Sequence, residues 1–180
     1  MELKRPETFE DILNLQKHLD KSIHSARERT EEDVKTSMIA ELIEFNEETK
    51  DSHKTWKTKP YDKANELEEL TDVYFFFAQL VNRYLNKFNF RMIKEILKEI
   101  EQTFKTKNNS FLENIAPNYD MLLNSVIKAT TTGTVTFIFK WLNALTIHYG
   151  YTKDDILNCY WEKWQKNMKR IGKEWNWWKF

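Results

Sequence analysis

The stretch ELEELTDVYFFF, Glu66 to Phe77, decides the fold, together with its continuation AQLV to Val81. From Val73 to Val81 every residue but Gln79 is apolar or a tyrosine. A helix that is apolar on nearly every side is buried in a protein core or a subunit interface. The run is too short to span a bilayer, which takes roughly 20 residues. Glu69 and Asp72 stand just before it, one helical turn apart, and straddle the direction of Phe76. Two carboxylates entering a core destabilise it by several kcal/mol unless something compensates them. A hard divalent cation such as Mg²⁺, which prefers carboxylate and water oxygens, is one compensator. A lysine from a neighbouring helix is another. A solvated acidic face would need neither.

Working outward, the same helix extends from about Lys63 to Phe88. Apolar spacing over Phe9, Ile12, Leu13, Leu19 and Ile23 predicts a helix from Thr8 to about Ile23. A second runs from about Glu31 to Lys50. FNFRMIKEILKEIEQTF, ending at Phe104, predicts another, followed by the polar break KTKNNS and a short piece before Pro117. Further helices are expected at Asn118–Ala129, Thr134–Tyr149 and about Lys153–Lys173. The threonines of TTTG, Thr130 to Gly133, read as a break or as a short paired strand. Gly150 can end one helix and Thr152 can cap the next. Three glycines and three prolines in 180 residues leave little room for phosphate-cradling glycine loops. The expected fold is all-α, a helical bundle forming one domain over 1–180, with a segment of about 89–132 that carries no motif.

Lys+Arg and Asp+Glu both number 28, so the formal net charge is zero and no general nucleic-acid binder is expected. One cysteine, Cys159, cannot form an internal disulfide. No apolar N-terminal run suggests a signal peptide, and none suggests a membrane span. A cytoplasmic location is therefore expected.

The stretch AELIEFNEE, Ala40 to Glu48, carries a second acidic pair. Val34, Met38, Leu42 and Phe45 define its apolar stripe; Glu41 lies beside Phe45, and Glu44 lies about 60° further round. In the last helix Tyr160, Lys163, Asn167 and Arg170 fall within an arc of roughly 80° bordered by Trp164 and Ile171. Two cations and an amide on a partly buried stripe suit a polyphosphate. Surface lysines plus one core asparagine would look the same in sequence. Gln16 lies on the apolar stripe of the first helix. It reads either as a core amide bonded to its surroundings or as a group that could both donate to and accept from a base such as uracil. Trp56 can stack on a base or anchor packing. The histidines show no ligand spacing. The terminal EWNWWKF reads as a hydrophobic tail.

Taken together, Glu41-x-x-Glu44, 24 residues, then Glu69-x-x-Asp72 resembles the acidic signature of the all-α nucleoside triphosphate pyrophosphatases. The rest looks like the dimeric dUTPases of that superfamily, including those of bacteriophages. LNLQKHLD with Gln16 is similar to their opening helix, HKTWK with Trp56 and Lys57 to the segment between their acidic pairs, and YWEKWQKNMKR to their closing helix. The chain departs from the family's habit at Tyr74, Trp164 and Ile171. The resemblance implies a Mg²⁺-dependent hydrolysis of dUTP, with dUDP also accepted, giving dUMP. It implies metal ligands at Glu41, Glu44, Glu69 and Asp72, with a proton acceptor from the Glu41/Glu44 pair. It implies substrate contacts at Gln16, Trp56, Lys57, Tyr160, Lys163, Asn167 and Arg170. It also implies a homodimer, and the host cytoplasm as the location if a phage encodes the chain. The alternatives are a pyrophosphatase for another nucleotide such as dCTP, or a helical interaction module that binds a protein regulator or partner.

Overall fold

A computed structural model describes residues 3–108 and 119–174, with only the backbone of 119–120 and 172–174. The short piece before Pro117 and the Trp-rich stretch from 175 onward lie outside the described residues. Those described form seven helices: α1 (Phe9–Ser22), α2 (Glu31–Glu48), α3 (Lys63–Leu85), α4 (Phe90–Lys105), α5 (Tyr119–Thr132), α6 (Val135–His148) and α7 (Lys153–Glu174). There is no strand among them, so the all-α expectation holds.

The helices begin where side chains satisfy their free backbone N–H groups. Thr8 with Asp11 and Thr30 with Asp33 form reciprocal capping boxes at α1 and α2. Asp62 caps α3, and Asn89 caps α4. At the far end of α6, Gly150 takes φ +78°, and the N–H of Tyr151 reaches back to the Thr146 carbonyl. That reversal is the left-handed helix stop that glycine favours. Thr152 then caps α7 with Asp155.

Two boundaries differ from the sequence reading. Thr130–Thr132 are the last turn of α5 rather than a break or strand. Their hydroxyls bond back to the carbonyls of Val126 and Lys128, an outlet that lets β-branched polar residues stay helical. The long helix also stops at Leu85, three residues early, because Asn89 opens α4 at once.

The helix α3 is the axis of the bundle. α2 lies antiparallel along it, with Glu48 beside Asn65 at one end and Glu31 beside Lys87 at the other. α1 and α7 run side by side on its other flank, tied by Arg5 to Asn158 and by the Trp164 indole to the Leu15 carbonyl. α5 and α6 form a hairpin, with α5 against α2 and α6 against α4. The three phenylalanines of VYFFF leave α3 in three directions. Phe77 stacks on Phe139 of α6, with centroids 5.1 Å apart. Phe75 stacks on Tyr160 of α7 at 4.0 Å. Phe76 is half-buried under the Arg29 guanidinium. Phe9, Phe104 and Tyr74 complete the cluster around Phe139, and the Tyr74 hydroxyl shares a hydrogen bond with Thr146. Burial of these rings is the main apolar contribution to stability.

Because Phe139 is fully buried and touches rings from α1, α3 and α4, Phe139→Ala should destabilise the fold by about 3–5 kcal/mol. Denaturant melts of the variant and the wild type measure it; a loss under about 1 kcal/mol would mean that the cluster is not the core.

Candidate metal and nucleotide site

The antiparallel pairing of α2 and α3 brings the two acidic stretches together. One carboxylate oxygen each from Glu41, Glu69 and Asp72 lies within 4.8 Å of the others, and all three side chains are half-buried. Among the described residues they form the group of carboxylates close enough together to hold a metal ion. Glu44, one turn after Glu41, is exposed beside this group and adds to its negative potential. The sequence pairs thus meet across a helix interface, which no spacing along one helix could guarantee.

Crowded carboxylates hold their protons more tightly. Burial, followed by repulsion from Asp72, Glu44 and Glu69, pushes Glu41 up to about 7. Glu69 and Asp72 are also raised, in both cases chiefly by burial. One ammonium opposes them. Lys163 of α7 donates to Asp72 Oδ2 and, at 3.0 Å, to the Glu68 carbonyl. The compensating lysine considered from the sequence therefore exists, and it pairs with Asp72. Three carboxylates against one ammonium still leave an excess of negative charge. An all-oxygen, partly dehydrated, anionic donor set fits a hard divalent cation.

The other candidate residues are distributed unevenly. Tyr160 is fully buried, and its hydroxyl donates to Gln16 Oε1 at 2.6 Å. Gln16 is fully buried as well, and its Nε2 donates to Asp20 at 2.7 Å. Both ends of its amide are thus engaged within the protein. Asn167 is half-buried, but Arg170 is exposed. The arc on α7 therefore grades from core to solvent, so the partly buried stripe expected from the sequence is buried at Tyr160 and open at Arg170. The reason lies in the packing: Trp164 is the last buried side chain of α7 described, and the helix runs on beyond it. Trp56 is 73% exposed, so it anchors no packing. Lys57 donates to Glu48 and to the Glu47 carbonyl, both at 2.7 Å. Cys159 is buried with its thiol pushed up by burial, unlike a nucleophile.

Sequence reasoning gave no role to Glu48, Lys59 and Asn65. Glu48 accepts from Lys57, from Lys59 at 2.9 Å and from Asn65 at 3.0 Å, and these donors hold its carboxyl down at about 2. The available signal was position: Glu48 follows Glu44 by one turn on the same helix.

No described helix is long and apolar enough to cross a membrane. A family model described as dUTPase matches residues 8–175. The match includes the 89–132 segment, which no motif reaches. No curated protein matches the chain.

The raised Glu41 carboxyl has a pH signature. Its folded value, about 7, exceeds the unfolded value near 4.5. Stability is therefore fully present below the unfolded value and is lost as pH rises through the folded one. In EDTA the wild type should lose about 1–2 kcal/mol between pH 5 and 8, after solvent screening, relative to Glu41→Gln. Parallel melting curves across that range for the two proteins would mean that the carboxylates do not strain one another.

Proposed function

The chain belongs to the dUTPase family, whose members are dUTP diphosphatases, and from that premise we propose how its own residues carry out the hydrolysis with Mg²⁺. Glu41, Glu44, Glu69 and Asp72 hold the cation. The observation that carries this reading is the convergence of three half-buried carboxylates on one point, with only Lys163 to oppose them. Bound Mg²⁺ supplies charge neutralisation of phosphate oxygens and acidifies a water. Glu41, from the Glu41/Glu44 pair, accepts the proton of the water that attacks the α-phosphorus. Lys163, Asn167 and Arg170, spaced along α7 from the acidic cluster outward, orient the phosphate tail and stabilise the pyrophosphate leaving group. Lys163 exchanges its bond with Asp72 for one with phosphate. Trp56, exposed at the rim, stacks on the base, and Lys57 follows it. Gln16 acts through Tyr160, whose ring it fixes against Phe75, and it selects uracil only if the base reaches this buried pair. The products of dUTP are dUMP and pyrophosphate, and dUDP is accepted by the same groups. The half-exposed apolar surface of α5 and α6, including Met121 and Phe137, is where a homodimer would bury more area.

A panel of dUTP, dUDP, dCTP and dTTP, with and without Mg²⁺, tests the substrate and the metal together. Pyrophosphate should be released from dUTP only with Mg²⁺; cleavage of dCTP in preference to dUTP would sink the substrate assignment. Two variants separate the metal site from a salt bridge. Glu69→Gln should abolish hydrolysis and shrink the thermal shift given by Mg²⁺, yet leave the protein in EDTA as stable or more stable. Asp72→Asn strands the Lys163 ammonium instead, and should lower stability in EDTA by about 1–2 kcal/mol for this partly exposed pair. The reverse ranking in EDTA melts would reject the assignment.

A further inference from the structure

Glu48 stands one turn beyond Glu44 on α2, yet its surroundings are the opposite of those in the acidic cluster. Glu41, Glu69 and Asp72 crowd together with Lys163 as the ammonium opposing them, whereas Glu48 alone meets three donors. Its side chain is 16% exposed, and both of its oxygens are taken. Oε1 accepts from Lys57, and Oε2 accepts from Lys59 and from Asn65 of α3. A carboxylate saturated in this way is not free to hold a cation. It can hold a segment of chain.

We propose that Glu48 is the positioning residue of the 49–62 loop, clamping Lys57 and Lys59 so that the loop presents Trp56 and Lys57 at the edge of the acidic cluster. This rests on the nucleotide-site reading above. The loop contains no helix or strand; short backbone turns, His53 to Thr55 and Lys54 to Lys57, are tied to the body by side chains. Its start is fixed by Asn46 Oδ1, which accepts the His53 N–H at 3.1 Å. Its end is fixed by the Tyr61 hydroxyl, which donates to the buried Glu66 at 3.1 Å. Between those ends, Lys54 pairs with Glu47 at 2.6 Å, and Glu48 holds the two lysines flanking Thr58. A cavity of about 270 Å³ opens among Glu47, Glu48, Lys54, Lys57, Lys59 and Tyr61.

The clamp has a second effect on charge. The acidic cluster attracts any loose ammonium, and Lys59 already feels Glu69. Bound to Glu48, the two lysines are kept from neutralising the carboxylates that the cation needs. An acceptor one turn beyond Glu44 is therefore better placed than one on the loop itself: it draws the lysines to the end of α2, alongside the cluster but outside it.

The test is a double-mutant cycle on dUTP hydrolysis with Mg²⁺, using Glu48→Gln, Lys59→Met and the pair. Glu48→Gln should raise KM about tenfold while kcat changes less than threefold, since the cluster itself is untouched. Its thermal response to Mg²⁺ should persist. In the Lys59→Met background the same change should raise KM less than threefold, because half of the clamp is already gone. Amide exchange in the nucleotide-free protein should speed up across 49–62 but not in α2 or α3. An unchanged KM, or equal effects in both backgrounds, overturns the proposal. If Glu48→Gln does not fold, Lys59→Met alone decides, since it removes an exposed side chain: a KM raised at least threefold supports the clamp, and an unchanged one overturns it. Wild-type hydrolysis that persists in EDTA would overturn the metal reading alone, and the cycle would then be run in EDTA. A wild type inactive on dUTP overturns both readings.

Discussion

Three carboxylates share one half-buried space between α2 and α3, and much of the rest of the molecule answers to that constraint. Like charges at such distances repel by a few kcal/mol at the effective dielectric of a protein surface. They persist only because apolar packing forces the two helices together. Leu42 and Phe45 on α2 and Leu70, Val73 and Tyr74 on α3 are buried beside the acidic residues. The α3 aromatics then lock that pair against α6 and α7. The hydrophobic core and the acidic site are thus one construction, in which the energy that closes the helix pair also holds the charges close.

The chemistry of the site follows from an uneven distribution of counter-charge. Lys163 neutralises Asp72, and Glu48 engages Lys57 and Lys59 outside the cluster. The central carboxylates remain under-compensated, a state that favours either a proton or a cation. The deep polar pair, Gln16 and Tyr160, is satisfied internally and braces α1 against α7. Trp56 and Arg170 stand open to solvent. The candidate ligand-contacting groups therefore span the range from fully buried to fully exposed.

How much of this was legible in the sequence varies by element, for physical reasons. The all-α class was, because 3.6-residue periodicity and stop-and-cap residues such as Gly150 and Thr152 are local signals. So was the pairing of the acidic stretches, once their order was read together. The end of α5 was not, since threonines that bond back to Val126 and Lys128 look like strand formers until the helix is seen. The exposure of Arg170 was not, because helical spacing fixes an angle but not where neighbouring helices stop. Glu48 escaped notice because its partners lie 9, 11 and 17 residues away, and lysines in a loop carry no periodicity. Local patterns fix elements, while the fate of a charge depends on what folds beside it.

The ammonium on Asp72 comes from α7, the last helix among the described residues. During synthesis, α2 and α3 leave the ribosome long before Lys163 does. A hairpin of these two helices formed early would confront Glu41, Glu69 and Asp72 without the ammonium that pairs with Asp72. Its closure is therefore opposed until α7 arrives with the ammonium that relieves it. The acidic seam thus makes the central helix pair depend on α7 for part of its electrostatic relief. A chain cut before α7 would lose that relief at its centre rather than at its edge.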